Sequence, residues 1–471
     1  MRVIIAGIGG MGSYITRYLI EEGCDVTIID TNANKVRAMS DNESVAGIIG
    51  DVLSIETLET AGIKNADIFI ATTHSDEVNI LACQLADSFG VKHNICEIQD
   101  FKYQTEEWKD IFRNRIIPIN DVISLGTSII ASILEQIRYS YLKISNILNF
   151  FNEEAKMFSI FCDEESSAIN KTISSIYESI NENIPFKIAG IQRNNNFNIA
   201  QENDIIKEND RIFIVVQEQY IKEVYSLFFD LEQSENKFLE SQSPNIIISG
   251  DHPFVKILAI DLSKVYSRVK IITDSNNEHE NMLMAMDLEK YGVQLIEDDI
   301  TKEEYRNNYI KSEDDIIIIM NREDDKSLLK ALFLKHQSVG NLFCYLNNNA
   351  HENFLFSTHI NHIITPNNFI MSPVLSHIRR GVIMNAYSLN QKAEAMEIIV
   401  NEDSKIVGKK AREIEEEGKF MVAMVIDEKG TVLPINENTI IKAQYQLIII
   451  VLRKYIPIIE ENYLQTIDYN T

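Results

Sequence analysis

The sequence has few cysteines, few basic residues and no long apolar run, and each shortage excludes a class of protein. Its 471 residues include 5 cysteines, an odd number, scattered and without a C-x-x-C pair. We therefore expect reduced thiols in the cores of a cytosolic protein rather than a disulfide framework. These residues are Cys24, Cys83, Cys96, Cys162 and Cys344.

The charge balance is strongly acidic, with 70 Asp and Glu residues against 44 Lys and Arg residues and a formal net charge of −26. Nucleic acids and anionic lipids bind basic surfaces, so this balance argues against both as partners, although not against a basic protein. Apolar runs such as 316–320 and 447–452 are too short to cross a membrane. The sequence enters a strand without a signal peptide, so we expect a cytoplasmic chain with no direct membrane insertion.

A G-x-G-x-x-G motif near the start lies between a predicted strand and a predicted helix, and a second strand follows. Gly7 permits a tight turn, Gly9 lets a pyrophosphate approach the backbone, and Gly12 lets the helix pack closely on the strand. The helix N-terminus adds unpaired N–H groups and the positive end of its dipole. Framed in this way, the motif predicts a dinucleotide site. The flanking elements are predicted at Arg2–Ala6, 13–22 and Asp25–Asp30.

Asp30, at the tip of the second strand, indicates which nucleotide the site prefers. A carboxylate there can accept hydrogen bonds from both ribose hydroxyls and repels a 2′-phosphate. No arginine follows it directly, since the next residues are Thr31, Asn32 and Ala33. We therefore expect NAD, or another adenine nucleotide with a free 2′-hydroxyl, rather than NADP.

Short strands alternate with helices through the first quarter of the chain, which predicts a parallel, doubly wound α/β sheet. A chain of 471 residues is too long for a single core. The same alternation restarts after a polar stretch at 232–243. In the first half, further strands are predicted at 45–49, 67–72, 94–98 and 116–119, and helices from Ala33 onward and at 55–61, 76–89 and 122–142.

Each α/β half is followed by a small α+β module, so the chain is predicted to be an internal duplication. Segment 169–176 can be aligned with 407–414, and segment 209–216 with 443–450. The predicted fold is a pair of Rossmann-like doubly wound parallel sheets, each followed by a small α+β C-terminal lobe. The four domains are predicted at 1–121, 145–230, 244–365 and 385–455.

The second half lacks the glycine motif. Gly250 is followed by Asp251, His252 and Pro253, which remove N–H donors and place negative charge where a pyrophosphate would lie. We place Asp274 at the position that Asp30 holds in the first half. The second half is therefore expected to keep the fold without keeping the ligand.

With these features in view, the sequence resembles the TrkA family, the cytoplasmic regulatory subunits of bacterial Trk potassium-uptake systems. The resemblance covers essentially the whole chain and is most specific at 5–12, 26–30 and 70–83. The last of these (IATTHSDEVNILAC) resembles the A-x-T-x-x-D-E-x-N segment of the family, and 377–381 (HIRRG) resembles the hallmark before the second C-terminal lobe. Family members carry two RCK (KTN-type) domains per chain. The resemblance implies a non-enzymatic homo-oligomer that gates a potassium-transporting membrane subunit of Trk type, and so associates peripherally with the inner face of the plasma membrane.

The resemblance also implies which residues bind the nucleotide, expected to be NAD or NADH, with ATP or ADP as alternatives at the same site. The residues from Gly7 to Met11, with Asp30, would hold the pyrophosphate and ribose, and Thr73 and His74 would lie at the rim of the crevice. No catalytic residue and no metal ligand is expected. The candidate cofactor-binding residues are Gly7, Ile8, Gly9, Gly10, Met11, Gly12, Asp30, Thr31, Asp51, Val52, Thr72, Thr73, His74 and Glu97.

One departure from the family concerns the strand after the helix at 76–89. The family usually has an arginine there, where it can meet nucleotide phosphate, whereas this chain has Glu97 and Gln99. The change favours NAD or NADH over a triphosphate.

An NAD-dependent oxidoreductase with an unrecognised substrate domain is the alternative function. Tyr139 with Lys143 and Tyr266 with Lys270 have the spacing of the Tyr/Lys pair of short-chain dehydrogenases. No matching serine accompanies either pair, and the segment 147–229 is compact and β-rich. The regulatory function therefore remains the leading prediction.

Overall fold

The fold is described from a computed structural model, in which the chain divides into two compact units. One unit holds Met1–Ser128 with Pro366–Gly381, and the other holds Ile129–Thr365 with Val382–Thr471. The described residues are 1–114, 116–151, 153–181, 183–194, 196–232, 234, 244–274, 278–303, 308–310, 312, 314–337, 341–347, 360, 362–366, 370–371, 374–375, 383–389, 392–435 and 438–459. The HIRRG segment at 377–381 and almost all of the expected polar linker at 232–243 lie outside these ranges.

The first sheet has six parallel strands joined by helices. Its strands are β1 (Arg2–Ala6), β2 (Asp25–Asp30), β3 (Ala46–Ile49), β4 (Ile68–Ala71), β5 (His93–Glu97) and β6 (Asp121–Ile123). Its helices are α1 (Gly10–Glu21), α2 (Ala33–Asn42), α3 (Ile55–Thr60), α4 (Asp76–Ser88), α5 (Glu106–Arg113) and α6 (Leu125–Arg138). The strand order β3-β2-β1-β4-β5-β6 confirms the predicted doubly wound α/β fold.

The apolar runs of the first sheet form strands that are covered on both faces. All four residues of β4 are buried, and in β1 only Arg2 is exposed. One core cluster joins Phe69 of β4 to the small residues Ala82 and Ala86 of α4. Continuous apolar strands of this kind are typical of a parallel sheet between two helix layers.

The predicted strand at 116–119 is wrong. Pro118 has no N–H for a strand ladder, and the N–H of Ile116 donates to the carbonyl of Ile111 in α5. Ile116 is also 70% exposed, unlike a core strand residue. The sixth strand is instead β6, and helix α5 before it is absent from the sequence-based prediction.

The predicted long helix at 122–142 is also corrected. Val122 pairs with Cys96 of β5 as part of the sheet, so α6 begins only at Leu125. It ends at Arg138, where the N–H groups of Tyr139 and Ser140 bond three residues back and tighten the last turn.

The first small lobe is an antiparallel five-stranded sheet with short helices. Its strands are β7 (Ile144–Phe150), β8 (Ala155–Phe161), β9 (Phe186–Arg193), β10 (Asn196–Ile199) and β11 (Arg211–Gln217), and its helices are α7 (Ile173–Tyr177) and α8 (Ile221–Tyr225). The strand order is β10-β9-β11-β8-β7.

The second parallel sheet repeats the architecture of the first. Its strands are β12 (Ile246–Ser249), β13 (Val269–Thr273), β14 (Gln294–Glu297), β15 (Ile316–Ile319), β16 (Asn341–Tyr345) and β17 (His362–Ile364). Its described helices are α9 (Val255–Ser263), α10 (Glu278–Glu289) and α11 (Asp324–His336). The strand order β14-β13-β12-β15-β16-β17 is that of the first sheet, as the predicted duplication requires.

The second small lobe matches the first in topology. Its strands are β18 (Ile383–Leu389), β19 (Ala393–Ile399), β20 (Phe420–Ile426), β21 (Val432–Leu433) and β22 (Gln446–Leu452), and its helices are α12 (Ala411–Ile414) and α13 (Ile456–Ile459). The strand order is β18-β19-β22-β20-β21. The two small sheets share one apolar core, in which Phe150 and Val215 of the first meet Ala395 and Ile450 of the second.

The alignment of 169–176 with 407–414 is supported by a shared turn. Asn170 and Gly408 both have positive φ, at 66° and 83°. Their N–H groups donate to the carbonyls of Ile206 and Ile441, which occupy matching places in the two lobes.

The alignment of 209–216 with 443–450 is wrong by one residue. Asn209 and Gln444 are the residues that share a left-handed turn, with φ of 65° and 66°. The N–H of Asn209 donates to the carbonyl of Cys162, and that of Gln444 to the carbonyl of Val400. Asn209 therefore corresponds to Gln444 rather than to the residue before it.

The structure also describes the cysteines and the apolar helices. All five cysteines carry free thiols, and all but Cys24 are buried. Among the helices that the structure describes, none combines the length and the apolar character that crossing a membrane requires.

Candidate functional site

Two glycines of the first loop are required by the packing of the protein itself. Gly7 has a φ of +91°, and a Cβ atom on it would lie 2.5 Å from the carbonyl oxygen of Thr72. A Cβ atom on Gly12 would lie 1.9 Å from the carbonyl oxygen of Gly7. The hydroxyl of Thr72 fastens the same loop by donating to the carbonyl of Gly7 at 2.9 Å. These contacts explain Gly7 and Gly12 without any ligand.

Gly9 and Gly10 differ from them, because the protein's own packing does not require a glycine at either position. A Cβ atom on either residue would meet no protein atom within 4 Å, and Gly9 has an ordinary φ of −72°. Helix α1 begins at Gly10, and its first turn carries no acidic residue and no capping side chain. A helix N-terminus of this kind presents its N–H groups, including that of Met11, to an incoming anion.

Asp30 stands at the end of β2 and joins the glycine loop to the start of α2. Its Oδ2 accepts the N–H of Ile8 at 2.7 Å, and its Oδ1 accepts the N–H of Asn32 at 2.7 Å. A carboxylate has about four acceptor positions on its two oxygens. Each oxygen of Asp30 therefore keeps capacity for a ribose hydroxyl while the protein fixes its orientation.

Thr31 and Asp51 lie beside Asp30 at the same edge of the sheet. The N–H of Gly50 donates to the carbonyl of Asp30, which places the end of β3 next to the end of β2. Both Thr31 and Asp51 are exposed there. Val52, by contrast, is 5% exposed and its side chain belongs to the core below the loop.

Thr73 and His74 follow β4, which lies next to β1 where the strand order reverses. This reversal is the place at which open α/β sheets bind ligands. The N–H and the hydroxyl of Thr73 both donate to Oδ1 of Asn79, at 2.8 and 2.7 Å. His74 is exposed. We call this edge, from Gly9 and Asp30 to Thr73, the first crevice.

Asn79 is a residue of this site that the candidate set omits. It is fully buried on α4, and its Nδ2 donates to the carbonyls of Thr73 at 3.2 Å and Glu97 at 3.1 Å. It therefore ties the ends of β4 and β5 together. The signal in the sequence is an amide on a helix face that is otherwise lined by Ala82, Cys83 and Ala86.

Asp76, from the same family segment, has a structural contact. Its Oδ1 accepts the N–H of Gln99 at 3.0 Å, and its Oδ2 accepts the N–H of Asp100 at 2.7 Å. These bonds hold the loop after β5 against the start of α4. Ser75, rather than Asp76, caps the helix by accepting the N–H of Val78.

Glu97 ends β5 and is the most perturbed acid of the first sheet. It is 5% exposed, and its Oε1 accepts a hydrogen bond from Nε2 of Gln99 at 2.7 Å. Burial raises the pKa of Glu97 to about 7, aided by the charge of Asp76, although the bond from Gln99 opposes the rise. This end of the first crevice therefore carries a carboxyl group where the family usually has arginine.

A cavity of about 400 Å³ opens beside the glycine loop, between α1 and α2. Its lining includes Gly9, Gly10 and Ser13, with the cations Arg17 and Lys35. Arg17 contacts Glu43 at 3.4 Å. Lys35 therefore brings positive charge to this cavity, whereas the charge of Arg17 is paired with that of Glu43, which also lines it. Neither cation was among the predicted site residues.

The loop of the second sheet is built differently, as its sequence predicts. Gly250 is required by packing, because a Cβ atom there would lie 1.9 Å from the carbonyl oxygen of Met320. Asp251 accepts the N–H of Arg322 at 3.0 Å. Helix α9 begins at Val255, two residues beyond Pro253, which holds the place of Gly10. The loss of the ligand from this half stays a prediction.

The expectation that Asp274 holds the position of Asp30 is wrong. Ala6 pairs with Ile29 in the first sheet, and Ser249 pairs with Ile272 in the second. The following residue in each strand is therefore Asp30 in one and Thr273 in the other. The second sheet has a hydroxyl, not a carboxylate, at the position of Asp30.

Comparison with known proteins shows which proteins this chain resembles. The TrkA-N domain model matches residues 3–125, which include the first sheet, and the TrkA-C domain model matches residues 395–460, in the second small lobe. The Trk system potassium uptake protein TrkA of Azorhizobium caulinodans is 25% identical over 471 residues, covering 100% of both chains. That of Vibrio alginolyticus is 26% identical over 465 residues, covering 98% of each chain. The chain therefore carries a TrkA-N domain and a TrkA-C domain, and it is similar over its whole length to TrkA proteins.

Solved structures share the fold of this chain. The GsuK RCK domain has a TM-score of 0.54 at 13% identity and covers 98% of this chain and 94% of its own. The GsuK channel bound to NAD has a TM-score of 0.55 at 13% identity and covers 99% of this chain and 78% of its own. The expected pairing of Rossmann and small lobes is thus confirmed as an RCK fold.

The first Tyr/Lys spacing, Tyr139 with Lys143, does not form a dehydrogenase pair. Tyr139 donates its hydroxyl to Glu218 at 3.0 Å, whereas the ammonium of Lys143 contacts Asp163 at 2.8 Å and also pairs with Glu165. Within the described ranges, no group of three metal-binding side chains comes together.

Proposed function

We propose that this chain is the nucleotide-binding regulatory subunit of a potassium-uptake transporter, with NAD or NADH as its ligand. The full-length relatives are named Trk system potassium uptake proteins. A channel with the same fold is named as bound to NAD. The chain then acts in the cytoplasm on a membrane subunit of Trk type, and its acidic surface favours a basic docking face on that partner.

Gly9 is the observation that carries the proposal. The protein's own contacts account for Gly7 and Gly12, whereas a side chain at Gly9 would touch nothing in the chain within 4 Å. A pyrophosphate approaching the N-terminus of α1 supplies the missing reason for a glycine. Asp30, fixed by two N–H groups, lies beside this loop to receive the ribose.

The charges along the first crevice favour a dinucleotide over a triphosphate. Lys35 lies in the cavity beside the glycine loop, where its charge would partly neutralise a pyrophosphate. The far end, at β5, has the buried carboxyl group of Glu97, which would not attract a γ-phosphate. Once Asp30 holds the adenosine ribose on the β2 side, the nicotinamide half extends towards β4 and β5.

Regulation needs a difference in nucleotide affinity between two arrangements of the protein, and it needs no chemistry. A dinucleotide in the first crevice bridges the glycine loop after β1 and the Thr73 segment after β4. It therefore stabilises the arrangement in which these two segments are closest. In a homo-oligomer this preference is shared among subunits and passed to the membrane partner.

Potassium uptake in cells that depend on this chain and its membrane partner tests the function. We expect Asp30→Ala and Gly9→Ala to make uptake insensitive to the cellular NADH level, with protein abundance unchanged. Asp41→Ala removes the same charge from an exposed position of α2 and should behave as wild type. Uptake that responds to NADH equally in all four proteins would contradict the regulatory function.

A further inference from the structure

The carboxyl edge of the second sheet can be compared with the first crevice residue by residue, because the two sheets have equivalent backbone hydrogen bonds. Asp51 and Asp299 each accept the N–H two residues later with Oδ1, at 2.9 and 3.0 Å. Thr73 and Asn321 each donate their N–H to the polar residue six positions on, at 2.8 and 3.1 Å. Each residue of the first crevice then has a counterpart in the second sheet. Gly9 corresponds to His252, Thr31 to Asp274, Asp51 to Asp299, Thr73 to Asn321, Ala82 to Lys330, and Glu97 to Tyr345.

Lys330 extends from α11 to the carboxyl edge of the second sheet. Its ammonium lies 3.1 Å from Oδ1 of Asp274 and 3.4 Å from Oδ1 of Asn321. Its side chain is 8% exposed. Asp274 follows β13 and Asn321 comes shortly after β15, and β12 lies between these strands. The ammonium is therefore held where the strand order reverses, which we call the second crevice.

A second acid, Asp299, also interacts with Lys330. Burial acts to raise the pKa of Asp299, but hydrogen bonds from Thr301 and the charge of Lys330 lower it overall. Lys330 thus interacts with the counterparts of Thr31, Asp51 and Thr73, three candidate nucleotide-binding residues of the first crevice. Its own counterpart, Ala82, has no side chain that could reach them.

His252 enters the same crevice from the loop after β12, at the position of Gly9. Its ring centroid lies 4.9 Å from that of Tyr345 and 4.6 Å from that of Phe254. Burial lowers the pKa of His252 to about 4, although a hydrogen bond to Asn347 opposes the fall. The ring is therefore neutral near pH 7 and packs as an aromatic group.

We propose that the second crevice is occupied by the chain's own side chains, with the Lys330 ammonium and the His252 ring standing where a nucleotide would lie. This inference rests on the proposed function, because that proposal assigns the nucleotide to the first crevice. A crevice that holds an internal cation and an internal ring keeps one arrangement whether or not nucleotide is present. The chain then binds one nucleotide, and only its first sheet responds to it.

Hydrogen exchange of the full chain with and without NADH tests the proposal on the wild-type protein. We expect NADH to slow exchange at least ~10-fold in 7–12 and to leave 250–255 unchanged, because binding adds stability only where the ligand lies. Slowing in both segments would overturn the self-occupied second crevice. No slowing in either segment would instead contradict the proposed function, so the two failures are distinguishable.

A double-mutant cycle tests whether Lys330 is paired inside the crevice. Lys330→Met should lower the Tm by at least ~5 °C, because it removes the cation with which both Asp274 and Asp299 interact. Asp274→Asn combined with Lys330→Met should recover at least half of that loss, since one uncompensated carboxylate is gone. Lys326→Met, from an exposed position on the same helix, is the matched control. If the fall in Tm of the double variant equals the sum of the falls caused by Lys330→Met and Asp274→Asn alone, the proposal is overturned. This comparison holds even if one variant folds poorly.

Discussion

Gly9 and Gly12 stand three residues apart in one loop, and their substitution by alanine separates ligand binding from folding. Gly12→Ala should cost at least about 2 kcal/mol of unfolding free energy, because its Cβ would press on the carbonyl of Gly7. Gly9→Ala should change stability by less than about 0.5 kcal/mol and weaken NADH binding at least ~10-fold. Urea unfolding and calorimetric titration measure the two effects.

Gly10→Ala is the control for this pair, since a Cβ atom there also meets no protein atom within 4 Å. It adds the same methyl group one residue further into α1 and should leave stability unchanged. If Gly9→Ala binds NADH as tightly as wild type, the pyrophosphate does not approach this residue.

Glu97 should make the stability of the chain depend on pH between 4.5 and 7. Its pKa rises from 4.5 to about 7 in the folded protein, so the unfolded chain ionises first as the pH increases. The folded state therefore loses up to about 3 kcal/mol across this window, and nothing further above it. Glu97→Gln should remove this loss and be the more stable protein at pH 8.

Urea unfolding at pH 5 and pH 8 measures the effect. Glu56→Gln, at an exposed position of α3, should keep the wild-type pH dependence. A Glu97→Gln protein that loses as much stability as wild type between these pH values would show that the carboxyl group is not the cause.

At the scale of elements, one amide holds the ends of β4 and β5 in place. Asn79→Ala would leave the N–H of Thr73 and the carbonyl of Glu97 without this partner, at a cost of about 2 kcal/mol. The second sheet has Ser327 at the same place, where its hydroxyl accepts the N–H of Asn321 at 3.1 Å.

Asn79→Ser is therefore the control, because it keeps an acceptor for the N–H of Thr73. It should lose less stability than Asn79→Ala in urea unfolding, and less NADH affinity in titration. Equal losses in the two variants would contradict the role assigned to this hydrogen bond.

The sequence correctly predicts those elements for which the apolar pattern and the flanking turn residues indicate the same bounds. The strands Arg2–Ala6 and Asp25–Asp30 have the bounds predicted for them. The predicted strand at 116–119 does not form, because this apolar run contains Pro118. The N–H of Ile116 bonds instead to the carbonyl of Ile111 in α5. Helix α5 is missed because its buried face is narrow, with Phe112 alone fully buried along it.

At the scale of the whole molecule, the duplication produces two crevices with different chemistry. The sequence predicts the difference at the loop, where Pro253 and Asp251 replace glycines. It cannot predict that Lys330 reaches Asp274, because these residues lie on a helix and a strand end that only the folded sheet brings together. The same applies to Thr273, whose match to Asp30 depends on the strand register.

Calorimetric titration of the full chain with NADH tests the central claim most directly. The account predicts one NADH per chain, binding at least ~10-fold weaker to Asp30→Ala, and weaker binding of NADPH because Asp30 repels its 2′-phosphate. Asp41→Ala should bind as wild type does. Two NADH per chain, no binding, or binding that is indifferent to Asp30 would contradict a single nucleotide sensor in the first crevice.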